Sequence, residues 1–111
     1  MVRRVIWSDE ALADVAAIKD YIARDSVANA RKVVGRIELA ADRLADFPYA
    51  ARMIPEFQDP NRRETFVYEY RLMYRVEDDH ICIMRVVHGR RLLENVPGSF
   101  EEPGQATYSA A

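Results

Sequence analysis

The pattern of apolar positions near the N-terminus predicts a short strand followed by a helix. The run from Val2 to Trp7 is rich in β-prone residues. Ser8 then offers a helix N-cap, and two acidic residues follow in the first turn, where the helix dipole favours them. Apolar side chains recur every three or four residues until about Arg24, as expected for an amphipathic helix with one buried face.

The next segment predicts a second amphipathic helix that folds back on the first. Asp25 and Ser26 interrupt the first helix, and Ser26 can cap the second. Apolar positions from Val33 to Phe47 step by four, three, four and three, and Pro48 prevents continuation. Because so short a connection favours antiparallel neighbours, we expect a helix hairpin.

The second half of the chain predicts strands. Three prolines between 48 and 61 indicate a loop or an edge strand. Residues 63–68 are β-prone, and apolar and polar side chains alternate from Tyr70 to Val76. An acidic turn at 78–79 and a further apolar run at 81–87 complete a predicted hairpin.

The register of this hairpin predicts two different faces of a sheet. With Val76 opposite Ile81, Tyr74 lies opposite Ile83 on an apolar face. The other face then holds Arg71 and Arg75 together with Cys82, Met84 and Val86.

Length and element order fit one domain with a tail. The chain has 111 residues, of which 50% are hydrophobic, enough for one packed core. We expect an α+β fold over residues 1–94, in which an N-terminal strand and an antiparallel helix hairpin pack on a small, mainly antiparallel sheet. Prolines, glycines and glutamates then replace the apolar pattern, so residues 95–111 are expected to form a flexible tail.

Charge and cysteine content exclude several classes of protein. Sixteen basic against eighteen acidic residues give a net charge of −2, unlike a basic nucleic-acid-binding protein. The single cysteine, Cys82, excludes an internal disulfide framework and a multi-cysteine metal site. No stretch matches a membrane span or a secretory signal, so we expect a cytoplasmic protein without a membrane partner.

Basic side chains near the last predicted strands form the candidate site. Residues 60–91 hold seven Lys or Arg against five Asp or Glu. Arginines on adjacent strands suit a phosphate or an acidic surface, although the same pattern also fits ion pairs with nearby carboxylates. The candidate residues are Arg71, Arg75, Arg85, His88, Arg90 and Arg91, and the candidate ion-pair partners are Glu64, Glu69, Glu77 and Asp78.

Other chemistry has little support in the sequence. The ordinary pKa of a histidine suits His88 to acid–base catalysis, but a lone histidine at a strand end is more often structural. No further ligand stands at metal-binding spacing from His88, and the scattered glycines form no phosphate loop. We therefore expect neither a metal nor a cofactor, and an inert, buried thiol at Cys82.

From Tyr70 to Arg91 the chain reads YRLMYRV, an acidic turn, ICIMRVV and then HGRR. This segment resembles the C-terminal half of the RelE/ParE superfamily of type II toxin-antitoxin toxins. The opening strand, the helix hairpin and the proline-containing segment are also similar to the family pattern, so the resemblance covers residues 2–94. It implies a plasmid-stabilisation toxin that arrests growth unless a cognate antitoxin binds it in a hetero-oligomer.

One branch of this superfamily resembles RelE and cleaves messenger RNA on the ribosome. Arg71 and Arg91 match the arginines of that branch, and with His88 they would be the catalytic residues. Glu64, however, stands where that branch has a basic residue, and Pro97 stands where it has a tyrosine. A carboxylate beside an RNA phosphate is unfavourable, and a proline side chain cannot transfer a proton.

The other branch resembles ParE and poisons DNA gyrase without cutting nucleic acid. The HGRR ending is more similar to this branch, and the near-neutral net charge suits a protein target. We therefore expect a gyrase inhibitor without catalysis of its own; the alternatives are a ribosome-dependent endoribonuclease and a non-toxic antitoxin-binding module. The expected target-binding residues are Arg71, Arg75, His88, Arg90 and Arg91.

Overall fold

The computed structural model describes residues 3–89 and 108–110, which form two helices and one six-stranded sheet. The sheet order is β2-β3-β4-β5-β1-β6. Adjacent strands are antiparallel except β1 and β5, which are parallel. The predicted α+β architecture is confirmed. The elements are β1 (Arg4–Ser8), α1 (Asp9–Ala23), α2 (Val27–Asp46), β2 (Arg52–Met53), β3 (Arg62–Val67), β4 (Tyr70–Val76), β5 (His80–His88) and β6 (Tyr108–Ala110).

Both helices begin at the predicted serine caps. The Ser8 hydroxyl accepts the Ala11 N–H at 3.0 Å, and the Ser26 hydroxyl accepts the Asn29 N–H at 3.1 Å. Ser8 is fully buried and also donates to the Met84 carbonyl at 2.9 Å, so the start of α1 is tied to β5. α2 ends at Asp46, before Pro48, as predicted.

The β4–β5 hairpin has the predicted register only at its turn end. Tyr74 lies opposite Ile83, but a β-bulge follows, and Met73 lies opposite Arg85. The prediction that Val86 shares the arginine face is wrong, because the extra residue moves every later side chain of β5 by one position. Val86 belongs to the main core, and Val87 takes the place opposite Arg71.

The two faces of the sheet have different coverings. The helix hairpin covers one face, where Ile37, Leu72 and Ile83 are completely buried in the main core. On the other face a smaller cluster joins Met73 and Val87 to residues of the loop between β2 and β3. The loop residues are Ile54, which is fully buried, and Phe57, which packs against the cluster. The loop between β2 and β3 therefore covers the face of the sheet that carries Arg71 and Arg75.

Two further expectations concern the membrane and the tail. Neither α1 nor α2 has the length and apolarity that a membrane crossing needs. Of the predicted tail at 95–111, only Tyr108–Ala110 lie among the described residues, where they pair with β1 as its antiparallel neighbour. The rest of the tail lies outside the described residues, and its flexibility stays a prediction.

Candidate functional site

Arg71 stands at the centre of a buried ion-pair cluster on the loop-covered face of the sheet. Its Nε donates to Glu64 Oε1 at 2.7 Å, and its two Nη atoms donate to the Glu56 carboxylate at 2.9 and 2.7 Å. Arg52 donates from Nε to the second oxygen of Glu64, also at 2.7 Å. Glu64 has no exposed surface and Arg71 is only 4% exposed. The cluster therefore holds two arginines and two carboxylates with strong, charge-assisted hydrogen bonds.

The electrostatics of Arg71 follow from these partners. The hydrogen bond to Glu56 is the main reason that the pKa of Arg71 is raised, while burial acts in the opposite direction. Nε and both Nη atoms of its guanidinium point at carboxylates. An RNA phosphate would have to displace a carboxylate to reach the same donors. Arg71 is one of the expected target-binding residues, but it is buried in the structure because the loop at Glu56 closes over it.

Two further arginines of the predicted site are also buried and ion-paired. Arg75 pairs with Glu77 through Nε. Arg85 makes a bidentate pair with Asp14 of α1, with N···O distances of 2.7 and 2.9 Å, and the same carboxylate accepts the Val86 N–H at 2.9 Å. The contacts of Asp14 with Arg85 and Val86 therefore join α1 to β5. The ion-pair interpretation of the sequence therefore describes Arg71 and Arg75 well, although their partners hold them inside the protein rather than on a solvated face.

His88 lies on the opposite side of the sheet from Arg71. It is opposite Tyr70 at the end of β5, and the two rings meet edge to face at 6.1 Å. Because side chains alternate along a strand, His88 and Tyr70 share the helix-covered face, whereas Arg71 and Val87 share the other face. His88 is partly exposed, and its Nε2 lies 3.3 Å from Glu69 Oε2. The structure thus does not bring His88 and Arg71 together.

The remaining predicted site residues lie outside the described residues. These are Arg90 and Arg91, together with Pro97 from the branch comparison. Gly89, just before them, is described and donates its N–H to the Glu69 carbonyl at 2.6 Å. Gly89 therefore lies directly beside the turn between β3 and β4. Among residues 3–89, no group of three or more His, Cys, Asp or Glu side chains is placed to hold a metal ion.

The β3–β4 turn carries a surface that the sequence analysis did not identify. Two exposed aromatic side chains, Phe66 and Tyr68, line a hollow of about 380 Å³ between the turn and α2. The α2 side of this hollow contributes Arg36, Leu39 and Arg43. The sequence contained only a weak signal for this turn, because Glu69 is the single residue between the β-prone runs at 63–68 and 70–76. The residues glycine and asparagine that usually mark such a turn are absent.

Comparison with known families identifies the class of protein. Residues 5–93 match the family model described as ParE toxin of type II toxin-antitoxin system, parDE. The chain belongs to the ParE toxin family. It is therefore a toxin of a type II toxin-antitoxin system within the RelE/ParE superfamily, and this class of toxin has a cognate antitoxin as its partner.

Individual relatives agree with this family. The ParE-family chain is 36% identical over 89 residues to Toxin RelE2 of Caulobacter vibrioides (strain ATCC 19089 / CIP 103742 / CB 15), a match that covers 80% of this chain and 98% of that protein. Its fold is similar to a chain of the solved chromosomal ParDE TA system from P. aeruginosa, with a TM-score of 0.65 and 23% identity. That match covers 78% of this chain and 96% of the other. The predicted superfamily and fold are confirmed.

Proposed function

We propose that this ParE-family toxin inhibits DNA gyrase and does not itself cut nucleic acid. The observation that carries the proposal is the engagement of Arg71 by Glu64 and Glu56. In the ribonuclease branch, the matching arginine belongs to a site that stabilises charge on an RNA phosphate. Here two carboxylates already occupy the donors of that arginine, and a third anion at the same place would be repelled.

The placement of His88 supports the same proposal. A ribonuclease needs a proton-transfer group and a cationic group at one phosphate, within hydrogen-bond reach of the reacting atoms. Arg71 and His88 project from opposite faces of the sheet. Burial and the charge of Glu69 raise the pKa of Tyr70, so its hydroxyl keeps its proton at neutral pH and cannot act as a general base. Arg71, the arginine that matches the ribonuclease branch, therefore does not share a site with His88.

A gyrase inhibitor has different requirements. It needs an accessible surface that complements its target, and it needs no nucleophile or proton-transfer group. His88 is partly exposed at the end of β5, and the Gly89-Arg90-Arg91 sequence continues from it. We assign target binding to His88, Arg90 and Arg91, and a structural role to Arg71 and Arg75. In this proposal the toxin acts in the cytoplasm, arrests growth, contributes to plasmid stabilisation and is neutralised within a toxin–antitoxin hetero-oligomer.

The proposal is tested with purified toxin and purified gyrase. The wild type should block supercoiling or trap gyrase-dependent DNA breaks, and Arg90→Ala combined with Arg91→Ala should weaken this effect. Arg4→Ala is the control, because Arg4 is exposed and lies opposite His80, at the other end of β5 from His88. Antitoxin encoded beside the toxin gene should restore growth when it is expressed together with the toxin.

Messenger RNA from arrested cells separates the alternatives. Codon-positioned cleavage that His88→Ala abolishes, with gyrase unaffected, would overturn the proposal in favour of a ribonuclease. Normal growth at confirmed soluble expression, with antitoxin still bound, would overturn it in favour of a non-toxic antitoxin-binding module.

A further inference from the structure

Tyr68 has an unusual backbone conformation in an exposed position. It is the first of two residues, Tyr68 and Glu69, in the tight loop that joins Val67 of β3 to Tyr70 of β4. Its φ is +54°, a value that a bulky side chain rarely adopts and that glycine or asparagine adopts easily. Tyrosine is therefore costly at this position, yet the side chain is 52% exposed and adds little to the core. A costly, exposed aromatic residue points to a role in binding.

Around Tyr68 the surface combines apolar area with positive charge. The hollow between the turn and α2 is lined by Leu39, Phe66 and Tyr68, each between 43% and 52% exposed. Arg36 lies about one helical turn before Leu39 in α2 and Arg43 about one turn after it, and both line the same hollow. The described lining contains these two arginines and no carboxylate. Tyrosine and arginine around an apolar centre are the residue types that contribute most to protein interfaces.

This surface is continuous with the start of the HGRR segment. Phe66 and Tyr68 also line a second hollow, together with Glu69, His88 and Gly89. A Cβ atom added to Gly89 would lie only 2.7 Å from the Phe66 ring, so ring and backbone are already in close contact. The Phe66 ring is held from another direction by the Arg52 guanidinium, at 5.4 Å from its centroid. A partner that binds at His88 would therefore also reach Tyr68.

We propose that the Tyr68 surface, formed by Arg36, Leu39, Arg43, Phe66 and Tyr68, is a contact surface for the toxin's target. The occupant is an acidic segment of gyrase that presents apolar side chains. This inference rests on the proposed function, since it assigns the continuity with His88 to target binding. Charge complementarity favours an acidic partner, because the charged residues of the described lining are Arg36 and Arg43. The aromatic side chains supply the apolar contact area.

The test uses a substitution that removes the aromatic ring of Tyr68 and relieves the backbone strain at this position. Tyr68→Asn places a residue that tolerates positive φ in the turn, so the thermal midpoint should stay the same or rise. The concentration needed for half-inhibition of gyrase supercoiling should increase roughly tenfold or more, as for loss of an interface anchor. Val27→Asn is the control, because it removes a similarly exposed apolar side chain from the far end of α2 and should leave inhibition unchanged.

Charge reversal gives an independent second variant. Arg36→Glu combined with Arg43→Glu should also weaken inhibition, and the loss should shrink at high salt. Full inhibition of gyrase by folded Tyr68→Asn or by folded Arg36→Glu/Arg43→Glu would overturn the inference. So would loss of antitoxin binding with gyrase inhibition intact, which would assign the surface to the antitoxin.

The same experiment separates this inference from the proposed function. A wild-type toxin that leaves gyrase unaffected contradicts the proposed function. In that case growth arrest becomes the readout. Relief of arrest by Tyr68→Asn, with the protein folded, would still assign the Tyr68 surface to a target, whereas unchanged arrest would overturn the assignment.

Discussion

The guanidinium of Arg71 lies 2.6 Å from the carboxylate of Glu64, and both side chains are withdrawn from solvent. Taking two charges out of water is costly, and only close pairing with further hydrogen bonds offsets that cost. Arg52 and Glu56 supply those further bonds. The pair therefore fixes the loop between β2 and β3 on the sheet, and either charge without the other would be strongly unfavourable.

Arg71→Ala should accordingly destabilise the fold. The substitution removes one of the two arginines that pair with the fully buried Glu64 among the described residues and also removes a partner of Glu56, so we expect a loss of roughly 3 kcal/mol in the free energy of unfolding. Urea denaturation followed by circular dichroism measures it. Arg4→Ala is the control, because Arg4 pairs with Asp79 while both side chains are about two thirds exposed, and its loss should be below about 1 kcal/mol. Equal stability of the two variants would contradict the structural role of Arg71.

Stability should also fall at alkaline pH. The Tyr74 side chain is completely buried, and its hydroxyl donates to the Pro48 carbonyl at 2.6 Å. Burial raises its pKa from 10.0 to about 12. Because the folded state holds this proton more tightly, its contribution is fully present below pH 10 and is lost as the pH rises from 10 through 12. The loss should reach roughly 2 to 3 kcal/mol.

Tyr74→Phe tests this assignment. The variant should be less stable at neutral pH by about 1 kcal/mol, since a buried hydrogen bond is removed. Its stability should depend less on pH between 10 and 12. Burial likewise raises the pKa of Cys82 from 9.0 to about 12, so Cys82→Ala should remove the part of the alkaline loss that begins near pH 9. An unchanged alkaline profile in both variants would contradict the prediction.

The two helix caps should contribute differently to the stability of the fold. Ser8 is fully buried and makes two hydrogen bonds, whereas the bond from Ser26 to Asn29 is exposed. Ser8→Ala should cost roughly 2 to 3 kcal/mol, because the Met84 carbonyl also loses its partner, and Ser26→Ala should cost about 1 kcal/mol. Thermal unfolding of the two variants side by side provides the comparison. A larger loss for Ser26→Ala would show that the link from α1 to β5 is unimportant.

The sequence predicted these helices and most of the strands because their signals are local. Serine caps, apolar spacing and Pro48 each act within a few residues of the feature they determine. The bulge beside Met84 was not predicted, since it depends on how two strands fit across the sheet rather than on either strand alone. A single extra residue then exchanged the faces of Val86 and Val87.

The candidate site was harder to predict for the same reason. Arg71 and Glu56 are fifteen residues apart, and only the folding of the loop over the sheet brings them into contact. The sequence indicated that carboxylates were available to the arginines, but it contained no information on burial. Tyr68 escaped notice because its positive φ belongs to the folded turn, and the usual turn residues are absent.

Gly89→Ala should lower both the stability of the fold and the inhibition of gyrase. A Cβ at this position would lie 2.7 Å from the Phe66 ring and 3.0 Å from the Glu69 carbonyl, so the ring or the backbone must move. We expect a loss of about 1 to 3 kcal/mol in the free energy of unfolding. Inhibition of gyrase should weaken as well, because Gly89 contacts Phe66 of the Tyr68 surface. Gly35→Ala is the matched control, since nothing lies within 4 Å of its added Cβ and alanine favours the α2 helix. That variant should be more stable by roughly 0.5 to 1 kcal/mol, with inhibition unchanged. Denaturation and supercoiling assays on both variants measure the two effects, and a Gly89→Ala protein with wild-type stability would mean that Phe66 moves aside freely.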